Sequence, residues 1–271
     1  NRGNSYYFPQ KVIPMLPEKI SNKLCSLRPY EDKLTLTVKT VFDNNFQIKK
    51  QEVTESIIRS DARFSYEEID KLFDGHDIDI EPELVEMLNN MRKLSKKLSK
   101  QRVKEGYLNF NLPDTEYLFD DEGNIVHLKR SKETDSHKLI ENFMLVANEF
   151  IAKKLSHKPT IYRVHEDPDE DRLYDLQNLL KFYRIKMKLN EDLNATLQAA
   201  LNKMPNQKYH RVFDRMILRS MKKAHYDTKN NGHFGLAMQN YTHFTSPIRR
   251  LCDLVIHHQI KSDLRKEKEK F

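Results

Sequence analysis

Cysteine is scarce. Only Cys25 and Cys252 occur among 271 residues, too few for a disulfide framework or a zinc site. No apolar run approaches the length of a membrane span. The start, NRGNSYYF, is polar and aromatic, unlike a secretory signal. No internal repeat is visible. These absences point to a cytoplasmic chain without a membrane partner, and a monomer is expected. There is also no initiator methionine, and the end, KSDLRKEKEKF, still reads as a charged helix. Both features lead to the expectation of a piece cut from a longer protein.

What is present is charge and aromatic bulk. Hydrophobic residues make up 38%, with 14 Phe and 12 Tyr, enough to fill a core. Charged residues make up 32% and the formal net charge is +7. A basic balance favours an anionic partner, although lysine-rich helix faces supply part of it.

The order of elements is mixed. Pro14 and Pro17 keep the first residues extended, and residues 21–27 allow one helical turn. Residues 34–42, LTLTVKTVF, alternate apolar and polar and predict a half-buried strand. Asp43-Asn44-Asn45 is a hairpin turn, and residues 46–59 supply a second and even a third strand. Ser65 with Glu68 matches a capping box, opening a short helix to Phe73. Pro82 starts a long helix to about Glu105, apolar on one face and basic on the other; Gly106 ends it. Strands follow at 108–112, 117–119 and 125–128. Asp135 caps a helix to about Leu155, and residues 161–164 form a buried strand. Asp167-Pro168 opens a helix to Phe182. Two further helices lie near 191–203 and 212–223, then a strand at 234–241 and a last helix. A single mixed α+β domain is predicted.

The stretch 232–261, GHFGLAMQNYTHFTSPIRRLCDLVIHHQIK, holds a local contradiction. Ser246-Pro247 reads as a helix start, with Ser as N-cap and Pro at the first position. Arg249 and Arg250 then fall in the first turn, where the helix dipole disfavours cations. Free N–H groups beside an arginine fork make a phosphate site. The alternative is that both arginines are solvated or paired with acids.

Clustered carboxylates for a metal are hard to find. The acidic run 166–175 sits at a predicted helix start, where acids are favoured anyway. Residues 120–122 form a turn. His257-His258 beside Asp253 could hold a metal but lacks a third ligand. Tyr66 and Phe110 could each be a base-stacking platform or part of the core.

Five blocks now resemble one family. YTHFTSPIRRLCDL, VIPMLPEKISNKLCSLRP, IIRSDARFSYEE, KLIENFMLVAN and RSMKKAHYDTKNNGHFGLAMQNY are similar, in order, to the ribonuclease II/ribonuclease R exoribonucleases. The bacterial ribonuclease R branch is nearest, and the resemblance covers essentially the whole chain. It implies most of an RNB catalytic domain over 1–271, without the cold-shock and S1 domains. It implies a processive, metal-dependent 3′–5′ exoribonuclease that hydrolyses single-stranded RNA to 5′-mononucleotides. By resemblance, Arg249 stabilises charge at the scissile phosphate, with Ser246 and Arg250 beside it on the substrate. Tyr66 and Phe110 would clamp the 3′-terminal bases, and Glu141 would contact ribose.

The chain also departs from the family pattern. Leu251-Cys252 replaces a Tyr-Pro-like pair, and Asn142 replaces a second Glu. The family's metal-binding aspartates lie just upstream of the motif that here reads Arg2-Gly3-Asn4-Ser5. Ligands for Mg²⁺ are therefore expected before residue 1, and none is assigned within the chain. The alternative is a non-catalytic RNA-binding relative, or an inert fragment without those aspartates.

Overall fold

The computed structural model describes residues 2–108, 110, 114–131, 133–185, 187, 192–202 and 207–267. Strands β1 (Tyr6–Tyr7) and β2 (Val12–Ile13) form a small antiparallel pair. A wide helical turn, Lys19–Leu24, follows. The alternating run becomes β3 (Asp32–Phe42), paired antiparallel with β4 (Ile48–Arg59). The expected second and third strands are thus one long strand. Asp43 makes the turn by accepting the N–H groups of Asn45 and Gln47 through Oδ1.

Helix α1 (Tyr66–Phe73) opens with the expected capping box. Ser65 Oγ accepts the N–H of Glu68, and Glu68 accepts the N–H of Ser65. Helix α2 (Pro82–Lys104) ends ahead of Gly106, whose φ of +97° suits glycine. Strands β5 (Asp114–Phe119) and β6 (Ile125–Ser131) form a second hairpin. The strand expected at 108–112 falls largely outside the described residues. The limits expected at Glu191 and Lys203 do too.

Helix α3 (Asp135–Leu155) packs against α1 and α2. Its cap is Thr134 rather than Asp135; Asp135 instead takes Arg92 and Lys96 of α2 at 2.6 and 2.9 Å. Part of the basic face of α2 is therefore neutralised. Ile151, Ala152 and Leu155 are fully buried, so the C-terminal half of α3 is the spine of the core. Strand β7 (Tyr162–Val164) pairs with β8 (His225–Asp227). Helix α4 (Glu170–Phe182) is capped at Asp169, two residues later than the Asp-Pro signal placed it. Helices α5 (Leu193–Asn202) and α6 (Gln207–Ser220) complete a helical layer around Leu176, Leu180, Leu197, Phe213 and Ile217. No strand spans 234–241; Phe234–Leu236 is a single tight helical turn.

Helix α7 (Leu251–Arg265) closes the chain. Its N-cap is Arg250, so the N-cap expected at Ser246 is corrected by four residues. The reason is visible in Asp253. Its buried carboxylate takes the Ser246 N–H at 2.7 Å and folds residues 246–250 into a turn ahead of the helix. Ile256 and Ile260 anchor α7 against Ile151 and Leu155.

Candidate active site

Residues 241–250 have no regular structure, yet side chains fix them on three sides. From α3, Asn148 donates to the Tyr241 hydroxyl at 3.2 Å and accepts the Phe244 N–H at 2.9 Å. From α7, His257 Nε2 meets the Phe244 carbonyl at 2.9 Å. Thr242 donates to the Ile161 carbonyl at 2.6 Å, just before β7. An irregular loop tied in this way presents side chains as firmly as a helix would.

The two adjacent arginines part company here. Arg250 is tied down: Nε and Nη2 donate to Asp253 at 2.7 and 2.8 Å, a bidentate pair with a fully buried carboxylate. Arg249 is exposed and, among the described residues, has no side-chain partner. The chain start docks on the same turn. Ser5 N–H donates to the Arg249 carbonyl, and Leu251 N–H to the Gly3 carbonyl, both at 2.9 Å. Behind this docked segment come Tyr6, Tyr7 and Phe8, each more than half exposed. Sequence reading passed over these aromatics because nothing local ties them to Arg249.

Arg249 and Arg250 line a cavity of about 320 Å³ with Glu141, Asn148, Arg163, His233, Tyr241, His243 and Thr245. His233 and His243 are neutral, burial pushing both pKa values down to about 3. His243 Nδ1 shares a hydrogen with the Tyr226 hydroxyl at 2.8 Å. The cavity's positive charge is therefore arginine alone. Thr245 Oγ1 is buried there without a protein partner.

Glu141 is held from both sides. Tyr107 donates to Oε1 at 3.0 Å, and Lys138 Nζ lies 2.7 Å from Oε2. Burial first, then the Glu141 charge, pushes the Tyr107 hydroxyl up to about 12, so it remains a donor. Tyr66 starts α1 and stacks on His137 of α3, ring centroids 3.9 Å apart. His137, Glu141, Leu145 and Asn148 follow one face of α3 over about 16 Å. The structure therefore joins Tyr66, Glu141 and Arg249 along one helix, although Tyr66 does not line the cavity. Phe110 packs against the helical-layer core, and Ser246 spends its N–H on Asp253.

No group of three or more His, Cys, Asp or Glu residues is placed to hold a metal among the described residues. Asp253 and His257 are engaged as described, so the helix-borne metal pair is not formed. Glu166 of the acidic run pairs with Lys222 at 3.1 Å. The described residues do not fit a metal centre. No described helix is long and apolar enough to cross a membrane.

An α+β domain whose cavity offers Arg249 without a partner, and Arg163 stacked over the Tyr226 ring at 4.9 Å, among neutral histidines is suited to a phosphodiester. The family model for the RNB domain matches residues 1–266, and the chain belongs to that family. Ribonuclease R of Aquifex aeolicus is 41% identical over 272 residues, 98% of this chain and 38% of that protein. The structure of Mycoplasma genitalium RNase R in complex with ribose methylated single-stranded RNA superposes with a TM-score of 0.91 at 31% identity. It covers 97% of this chain and 42% of that one. Yeast Ssd1, a pseudonuclease, has the same fold (TM-score 0.78, 19% identity, 99% of this chain and 33% of that one). The chain spans little more than a third of the Aquifex relative's length.

Proposed function

We propose that the chain is the RNA-hydrolysing part of a 3′–5′ exoribonuclease that releases 5′-mononucleotides from single-stranded RNA. The observation that carries this reading is Arg249, unpaired and facing a cavity in a chain that matches the RNB domain over residues 1–266. Its fork would stabilise charge building on the scissile phosphate. Arg250 and Ser246 shape the turn that presents it. Glu141, oriented by Tyr107 and Lys138, would accept from a 2′-hydroxyl and so favour ribose. Tyr66, backed by His137, would stack on a base, with Phe110 as the second aromatic of the clamp. Mg²⁺ is the metal this reading requires, with ligands on the part of the longer protein outside residues 1–271. The segment Gly3–Ser5 docks against the Arg249 turn.

The alternative reading is a non-catalytic RNA-binding relative. One assay separates them. The full-length protein, given Mg²⁺ and a 5′-labelled single-stranded RNA, should shorten it from the 3′ end with release of mononucleotides. Binding without shortening would establish the second reading.

A further inference from the structure

A second cavity, of about 680 Å³, lies between α4, the end of α6 and His165. Ala224 lines both cavities. His165 faces the second and His233 the first, and their rings meet edge-on at 5.0 Å. The His165–His233 contact and Ala224 thus lie at the boundary between the two cavities.

Four cations line the second cavity, Arg172, Arg219, Lys222 and Lys223, against one carboxylate, Asp169. Two are engaged. Lys222 pairs with Glu166 at 3.1 Å, and Arg172 donates to the Arg219 carbonyl at 2.8 Å. The side chains of Arg219 and Lys223 are exposed and have no partner among the described residues. His165 Nδ1 accepts the Gly235 N–H at 3.2 Å, while its Nε2 is buried and unpartnered. No residue of α3 reaches this cavity, whereas four line the first. It lies off the stripe that would carry the RNA strand.

An internal phosphodiester carries one charge. A terminal phosphate carries about −1.5 to −2 and three acceptor oxygens, which suits two spare cations. We propose that this cavity receives the nucleoside 5′-monophosphate after each cleavage, as a product site separated from the catalytic cavity by the His165–His233 pair. The proposal rests on the exoribonuclease reading above.

The test uses the full-length protein, AMP as the probe, and the surface variants Arg219→Glu and Lys223→Glu together. AMP should inhibit degradation of an oligoadenylate, each rate being taken relative to the same protein without AMP. In the double variant the half-inhibiting AMP concentration should rise about tenfold, with RNA affinity held within about twofold. Equal inhibition of both proteins would place AMP in the catalytic cavity and overturn the proposal. A parallel loss of RNA affinity would make the patch a backbone contact and overturn it too. Equilibrium dialysis of AMP against the two proteins reads the site without turnover. If the protein degrades no RNA yet AMP binding still depends on Arg219 and Lys223, the function is wrong and the nucleotide site stands.

Discussion

Asp253 and Arg250, one helical turn apart, close on each other at 2.7 and 2.8 Å with the carboxylate wholly buried. That pair decides which of two neighbouring arginines is free. It also fixes the Ser246 N–H, so the loop, the helix start and the docked chain start share one anchor.

Breaking the pair from one side strands the other partner. Asp253→Asn should destabilise the fold by about 3–5 kcal/mol, the range for losing one member of a buried pair. Arg250 keeps some solvent contact, so the lower end is expected. Chemical denaturation followed by circular dichroism measures it; a change near zero would mean that the pair is not an anchor.

Acid should weaken the fold through the cavity histidines. In the folded chain His233 and His243 titrate at about 3 because they are buried, whereas in the unfolded chain a histidine titrates near 6.5. Between these values the unfolded state binds protons that the folded state refuses. Their neutral burial therefore adds full stability above about pH 6.5, and that contribution is lost as pH falls toward 3. The melting temperature should drop between about pH 7.5 and pH 5, and His243→Gln should flatten the slope. An identical slope in the variant would remove His243 from the account.

Much of the frame can be read directly from sequence. The alternation in β3, the Asp43 turn and the Ser65 capping box are local signals with local causes, and the structure repeats them. The start of α7 is not local. Ser246-Pro247 carries every mark of a helix start, but a carboxylate seven residues on claims the Ser246 N–H. Whether Asp253 is buried depends on β7, α3 and α7 meeting, which no window of sequence contains. The same holds for Arg249 and Arg250: side by side in sequence, they become unlike only through Asp253. Arg249 and Tyr66 are candidates from their own residues and gain their roles from the family resemblance, Glu141 comes from the resemblance alone, and the structure adds the face of α3 that links them.

The orientation of Glu141 should matter for sugar choice. Tyr107→Phe removes the hydrogen bond at 3.0 Å to its carboxylate. A lost bond of this type is worth about 1 kcal/mol, so preference for ribose over deoxyribose substrates should fall about fivefold. Competition between matched RNA and DNA oligonucleotides reads it, and an unchanged ratio would detach Glu141 from ribose.

The cap of α1 holds Tyr66 at the helix's first position. Ser65→Ala should cost about 1 kcal/mol of stability by removing the acceptor of the Glu68 N–H. Hydrogen exchange should rise in residues 66–69 first; an unaltered rate there would mean that packing on α3 alone fixes the helix.

The most direct test is Arg249→Ala in the full-length protein, with single-turnover degradation and RNA affinity measured side by side. The cleavage rate should fall by about 10²–10³, as for loss of one preorganised charge donor, while affinity changes little. A cleavage rate equal to that of the unaltered protein would contradict the account, because the exposed, unpaired arginine at the cavity would then have no part in the chemistry.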